Sequence, residues 1–445
     1  MSPVIDSPRH TYPARCRRAT HTVDSLKRGQ ADGYVCVHGR LFNRTPDSAH
    51  LHGEGEEIPL CLPTSNHHHL PEARSGDIVE VSGRLAGGTL LVEQMALLVP
   101  AARATTVTPL EEEKLRSELH KPVKIRSEVV AAVRDFFVGN GFQEVETPTL
   151  ARTPAHERHI LPFQTEARGA NQGERFLVAS PEHHMKRLLA RGLERIFQIG
   201  RCFRNDESTP LHLPEFTMVE WYRAYSSYRD IAEDTENLVA HVTRSIRGTS
   251  SVSIGDRKAD VTPPWLRMTV DDAFRDYCDV DLSDCTSADK FRLGAVRAGW
   301  GRSIGADDDW EEVFFKLMLE RVEPALAALG VPVFLTDYPV QLAAMAKLHV
   351  PADRLAERLE AYVVGIELGN GYTELNDPRE QRRRFMSERQ ACRQRQTPAF
   401  PIDEAFMRSM AVGMPPSGGM ALGLDRLVML MSGATSVHEV VAFTS

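Results

Sequence analysis

Apolar and polar residues alternate over residues 196–204 and again over 215–225. Between them, residues 206–214 are polar and carry two prolines. The pattern predicts two strands joined by a long charged loop. With a period of two, Phe216, Glu220 and Tyr222 share one face, and Thr217, Val219 and Trp221 the other. A ring, a carboxylate and a phenol on one face, with Arg204 at the loop mouth, make a poor core. They suit a site for a nucleotide and a cationic ligand, although the hairpin alone leaves open an exposed ribbon with ordinary surface charge.

Similar patterns divide the rest of the chain. Residues 34–42, 78–85 and 89–99 read as short strands separated by turn residues, which predicts a small OB-like barrel over 31–105. Residues 110–119 are charged and helical, and Ile125, Val129, Val133, Phe136 and Phe137 continue at helical spacing to a stop at Asn140-Gly141. A strand follows over 142–150, broken by Pro148. Further strands are expected over 176–180, 331–335 and within 355–374, and helices over 181–189, 230–245, 310–329, 380–394 and 424–430. Residues 413–423 form a glycine- and proline-rich run.

A length of 445 residues fits two or three domains. The expected division is a flexible basic arm (1–30), the β domain (31–105) and a large catalytic domain (106–445). A net charge of −8 argues against a general nucleic-acid coat. No apolar run is long enough to span a membrane, and the first 30 residues lack a secretory apolar core. Seven cysteines without a CxxC pair fit a reducing cytoplasm and argue against structural zinc, and His67, His68 and His69 read as an exposed loop. In the β domain the only aromatics are Tyr34 and Phe42, among more acidic than basic residues. That is a thin endowment for stacking single-stranded RNA, so a structural or protein-docking role competes.

Three stretches resemble the motifs of class II aminoacyl-tRNA synthetases, and within them the lysyl branch. They are the helix–strand–proline unit at 125–148, Phe203-Arg204-Asn205 through Pro214-Glu215-Phe216-Thr217, and residues 418–427. The resemblance spans roughly residues 110–445. It implies an α+β fold, an antiparallel sheet flanked by helices, preceded here by the OB-like domain. It also implies a homodimer through 125–148.

By the same resemblance, ATP and Mg2+ serve to activate an amino acid as an acyl-adenylate, with Arg204 on the α-phosphate and the adenine between Phe216 and Arg426. Gly423 and its neighbours would let the backbone approach the intermediate, and His212 would lie near the outer phosphates. Glu360 and Glu367 correspond to the magnesium carboxylates. Asp206 stands where the family has glutamate, and Glu207 follows it, so either the shorter acid reaches the adenine amine, or Glu207 takes over, or nucleotide binding is altered. Glu182, Glu220, Tyr222 and Glu374 match the positions that hold lysine, joined by Gly369, Asn370 and Tyr372. An acidic pocket implies lysine or β-lysine, because a cationic side chain needs an anion to replace its water.

Two groups share this machinery, lysine–tRNA ligases and the elongation factor P lysine ligases. Residues 180–189, 220–223, 364–368 and 412–415 lean toward the second group. The N-terminal barrel and Gly369, where that group has alanine, lean toward the first. With the barrel so poor in aromatics, the expected acceptor is a lysine side chain of elongation factor P, with tRNA(Lys) as the alternative. A non-catalytic amino-acid-binding regulator is a further alternative, disfavoured by Arg204, Arg426, Glu360 and Glu367.

Overall fold

The computed structural model describes residues 19–31, 33–63, 73–101, 109–154, 160–169, 172–205, 208–350 and 354–443, without the side chains of 109–120. The histidines at 67–69 and the acids Asp206 and Glu207 lie outside the described residues. The chain divides into two compact units, Met1–Val123 and Lys124–Ser445. Among the described residues no helix is long and apolar enough to cross a membrane.

The first unit is a closed five-stranded barrel, β1 (Gly33–Phe42), β2 (Ser48–Gly53), β3 (Glu56–Cys61), β4 (Ile78–Ala86) and β5 (Thr89–Val99), in the order β1-β2-β3-β5-β4. The alternation of β1, β4 and β5 is plain in the sequence. In β2 and β3 it is masked by His50, His52, Glu56 and Glu57, which take the outward positions. Both histidines pair with Glu57, His52 through Nε2 at 2.9 Å and His50 through Nδ1 at 3.3 Å. Of the arm expected over 1–30, residues 1–18 lie outside the described residues, and the remainder needs correction: Thr22 caps a short helix α1 (Val23–Lys27), whose Val23 and Leu26 are buried in the barrel core. Two apolar side chains at i and i+3 dock the turn where a free arm was expected.

Helix α2 (Pro109–Gly139), which belongs to the second unit from Lys124 on, is ended by Asn140 and by Gly141 at φ 75°. The strand expected over 142–150 is two short pieces, β6 (Gln143–Glu144) and β7 (Leu150–Ala151). Next come β8 (Gln164–Ala167), β9 (Gly173–Leu177), α3 (Glu182–Leu189), β10 (Arg195–Phe203), β11 (Glu215–Ala224) and α4 (Tyr228–Arg247). Residues 250–308 carry elements that the pattern did not reveal, β12 (Ser251–Ile254), β13 (Arg257–Asp260), β14 (Leu266–Thr269), α5 (Val270–Cys278) and α6 (Ala288–Ala295). The helix expected over 310–329 is α7 (Trp310–Leu317) and α8 (Glu323–Ala328) joined by a π turn. The chain finishes with β15 (Val333–Pro339), β16 (Leu355–Val363), β17 (Ile366–Thr373), α9 (Pro378–Gln394), α10 (Glu404–Gly413), β18 (Ser417–Gly423) and α11 (Leu424–Ser432).

Eight strands form one sheet, β14-β15-β16-β17-β18-β11-β10-β6, antiparallel except at its two outer pairs. One face packs on helices. Phe137 of α2 lies against Phe142, Phe197 and Trp221, with ring centroids 5.2, 4.7 and 5.1 Å apart. Burying one such ring contributes about 1.5–3 kcal/mol. The glycine-rich run became the central strand β18 because its bare backbone admits close neighbours. A Cβ on Gly418 would lie 2.5 Å from Ile231 of α4.

Candidate active site

The opposite face of the sheet carries the site. Across β10, β11, β18, β17 and β16 the ladders place Gln198, Glu220, Ala421, Asn370 and Glu360 in one row. The next row is Ile196, Tyr222, Gly419, Tyr372 and Arg358. Directly paired residues point to one face, so side chains as distant in sequence as Gln198 and Ala421 converge there by register alone. Helix α3 brings Glu182 and Lys186 to the same place.

Two adjoining cavities open on this face. The larger, about 470 Å³, is lined by Glu182, Glu220, Tyr222, Tyr372, Glu374 and Gly419, among others. The smaller, about 130 Å³, is lined by His212, Phe216, Glu367, Gly369, Gly423 and Arg426. Arg204, Met218, Asn370 and Ala421 line both. The guanidinium of Arg204 therefore sits at the junction, 5.3 Å from the centroid of the Phe216 ring.

The larger cavity is lined by buried acids. Glu220, 1% exposed, accepts from the Tyr222 hydroxyl at 2.5 Å and from Ser180 at 2.9 Å. Burial pushes its pKa up to about 8, with Glu182 adding to the shift. Glu374 is likewise pushed up to about 8, by burial first, against the pull of Lys186. At Glu182 burial also acts upward, but Lys186 and the Tyr372 hydroxyl, 2.5 Å from Oε1, outweigh it and hold the carboxyl below its ordinary range. A Cβ on Gly419 would come within 2.3 Å of Glu374 and 2.5 Å of the Tyr222 ring, so the floor must be glycine.

In the smaller cavity Arg426 donates to the Glu367 carbonyl at 2.6 Å and lies 3.3 Å from its carboxylate. It also meets His212 Nε2 at 2.6 Å. A guanidinium only donates, so His212 accepts through Nε2 and turns Nδ1 to Thr209 Oγ1 at 2.8 Å. Arg204 rather than Arg426 covers Phe216 here. A Cβ on Gly369 would lie 2.1 Å from the Ala421 carbonyl, so an alanine there would press on β18 instead of filling pocket space.

Glu360 accepts from Arg358 and Tyr362, both at 2.8 Å. Burial raises its pKa, and the nearby Glu367 adds to the rise despite Arg358. Glu323, which the sequence reading missed, is raised to about 7 by burial and by Glu367 and Glu360. Glu323 and Glu360, whose ionisation is opposed, stand with Glu367 as three carboxylates, the oxygen chemistry that a hard divalent cation takes. No local motif around Glu323 marks it; only the fold brings α8 to β16 and β17.

The three sequence motifs are tied by one buried contact. Arg126 of α2 donates to Asp425 of α11 at 2.5 Å and to Thr217 of β11 at 2.7 Å. Asp425 in turn accepts from the Thr217 backbone N–H at 2.9 Å.

Residues 112–445 match the family model described as tRNA synthetases class II (D, K and N). The chain belongs to this family. It is 39% identical over 321 residues to the lysine–tRNA ligase of Dehalococcoides mccartyi, a match that covers 72% of this chain and 63% of that relative. It is 37% identical over 321 residues to that of Moorella thermoacetica, covering 72% and 64%. With that of Oceanobacillus iheyensis it shares 35% over 318 residues, covering 72% and 63%. In each case the chain spans a little under two thirds of the relative's length.

Proposed function

We propose that this protein activates lysine with ATP, forming a lysyl-adenylate and pyrophosphate, and passes the lysyl group to an acceptor. The observation that carries this is the junction: a buried acidic pocket meets a second cavity where Arg204 borders both. The amino acid's two ammonium groups are held by Glu220 and Glu374, with Tyr222 orienting them and the carboxylate toward Asn370 and Arg204. That carboxylate attacks the α-phosphate, and Arg204 holds the charge that builds on the phosphoryl oxygens. No side-chain nucleophile takes part; holding the reactants in line supplies much of the acceleration. Glu360 and Glu367, with Glu323 beside them, would hold Mg2+, which when bound neutralises charge on the triphosphate.

For the acceptor we infer tRNA, in place of the elongation factor P acceptor expected from the sequence. The similar proteins carry the name lysine–tRNA ligase, which favours tRNA, and the closed N-terminal barrel is compatible with it. A homodimer is consistent with the exposed Val138 and Leu150 near the end of α2 and in β7, apolar surface that a second copy would cover.

Pyrophosphate exchange tests the reading. The protein exchanges label into ATP with lysine and not with aspartate or asparagine, and Arg204→Ala loses about 100-fold or more, the usual scale for one transition-state donor. Exchange driven by aspartate would overturn the pocket assignment. With activated enzyme offered both acceptors, label on tRNA(Lys) supports the reading, while label on elongation factor P alone would restore the protein acceptor.

A further inference from the structure

The lysine pocket already contains a lysine. Lys186 projects from α3 with its side chain 0% exposed. Its Nζ lies 2.5 Å from Glu182 Oε1, one helical turn earlier, and also contacts Glu374 Oε2. It stands 5.3 Å from the centroid of the Tyr372 ring. The ionisable groups around it are Glu182 and His183 from α3, Glu220 and Tyr222 from β11, and Tyr372 and Glu374 from the end of β17. Two of the acids that the sequence assigns to substrate are thus occupied by the chain's own ammonium. What is left for a ligand is Glu220 and the far oxygen of Glu374, Oε1, which has no hydrogen-bond partner among the described residues.

We propose that Lys186 is a resident cation that sets the charge of the pocket and so selects an amino acid carrying two ammonium groups. This rests on the reading of the site as a lysine-activating one. With the three buried carboxylates all ionised, as bound cations would hold them, two negative charges remain after the one ammonium; without ligand, Glu220 and Glu374 keep protons up to about pH 8. Arg358, which lines the same cleft, is paired with Glu360 and drops out of the count. A diamino acid cancels both charges. An ordinary amino acid leaves one buried carboxylate without a cation; that group keeps its proton and the ligand forgoes one buried ion pair. Lys186 also holds Glu182 and Glu374 apart from mutual repulsion, which makes it a positioning residue as well as a counter-ion. Burial alone would strip its proton; Glu182 and Glu374 outweigh that and raise its pKa, so it stays charged when substrate enters.

The test is a charge-count series, read by calorimetric titration of lysine at pH 7.5 and by KM and kcat in pyrophosphate exchange. Lys186→Met leaves three acids, and the affinity for lysine falls about tenfold or more, with KM moving far more than kcat. The double variant Glu182→Gln/Lys186→Met returns the count to two, keeps an acceptor for Tyr372, and regains most of that affinity. A merely structural role for Lys186 predicts the reverse, since the double variant removes one more native contact. The proposal is overturned if the double variant binds no better than Lys186→Met, or if the single variant binds as the native protein does. Should the single variant fail to fold, the double variant decides alone: lysine affinity near native sustains the proposal, and loss comparable to an emptied pocket sinks it. Failure of the native protein to bind or activate lysine would instead refute the functional reading itself.

Discussion

Glu220 and Glu374 are two carboxylates kept from water, and their titration should be visible in the stability of the whole protein. Each is pushed up to about 8, first by burial. Between about pH 4.5 and 8 the folded form therefore holds protons that the unfolded chain has lost. Unfolding releases them, so the contribution of these two groups falls as pH rises through that window. The slope is at most about 1.4 kcal/mol per pH unit for each group. Thermal melts of the ligand-free protein should show Tm dropping from pH 6 to 8.5, and Glu220→Gln should flatten the drop. An unchanged slope in that variant would remove Glu220 from the account. The hairpin face that carries Glu220 and Tyr222 was readable from period-two alternation. The insertion of Lys186 was not, because Glu182 and Lys186 at i and i+4 look like an ordinary surface pair on a helix. Glu323 was equally silent, since its partners lie on other elements. The assignments of Arg426 and His212 came by resemblance, and their mutual contact came only with the coordinates.

Elements meet at the Arg126–Asp425–Thr217 contact, where a helix, a strand and a second helix from distant stretches share one buried carboxylate. Asp425 is 4% exposed and uses both oxygens. Asp425→Asn leaves the half-buried Arg126 guanidinium without its counter-charge, which costs at most about 3–5 kcal/mol, the scale of a fully buried pair. Urea or thermal unfolding of Lys124–Ser445 within the full chain should register that loss, and a change below about 1 kcal/mol, the scale of an exposed pair, would show the contact to be dispensable. Strong periodicity revealed α2, α4, β10 and β11. It failed over residues 250–308, where short elements are joined by turns and each buries only a few side chains. It also misjudged β18, whose glycines carry no apolar pattern. Their purpose, room for Ile231, Glu374 and Tyr222, exists only once the strands are neighbours.

On the scale of the molecule, a barrel with few aromatics precedes a class II synthetase unit whose relatives are named lysine–tRNA ligase. Of the two rings in the barrel, Phe42 is buried and Tyr34 is 52% exposed on β1. If tRNA is the acceptor and the barrel stacks a base, Tyr34 is the ring available. Tyr34→Ala should then lower kcat/KM for charging tRNA(Lys) by the equivalent of about 1–3 kcal/mol and leave pyrophosphate exchange untouched. Charging at the native rate would show that the barrel contributes no stacking. By itself the sequence determined what local chemistry can encode: the alternation of the central hairpin, the periodic helices, the strands of the barrel with the plainest alternation, and the spaced motifs of a class II synthetase. The tertiary structure alone decided how the charges are spent. Strand register lines up Glu220, Asn370 and Glu360, α3 lays Lys186 between two of the acids, and α8 adds a third carboxylate beside Glu360 and Glu367. Those outcomes depend on which strands become neighbours and on how much water is excluded between them, and neither quantity is a property of any stretch of sequence read alone.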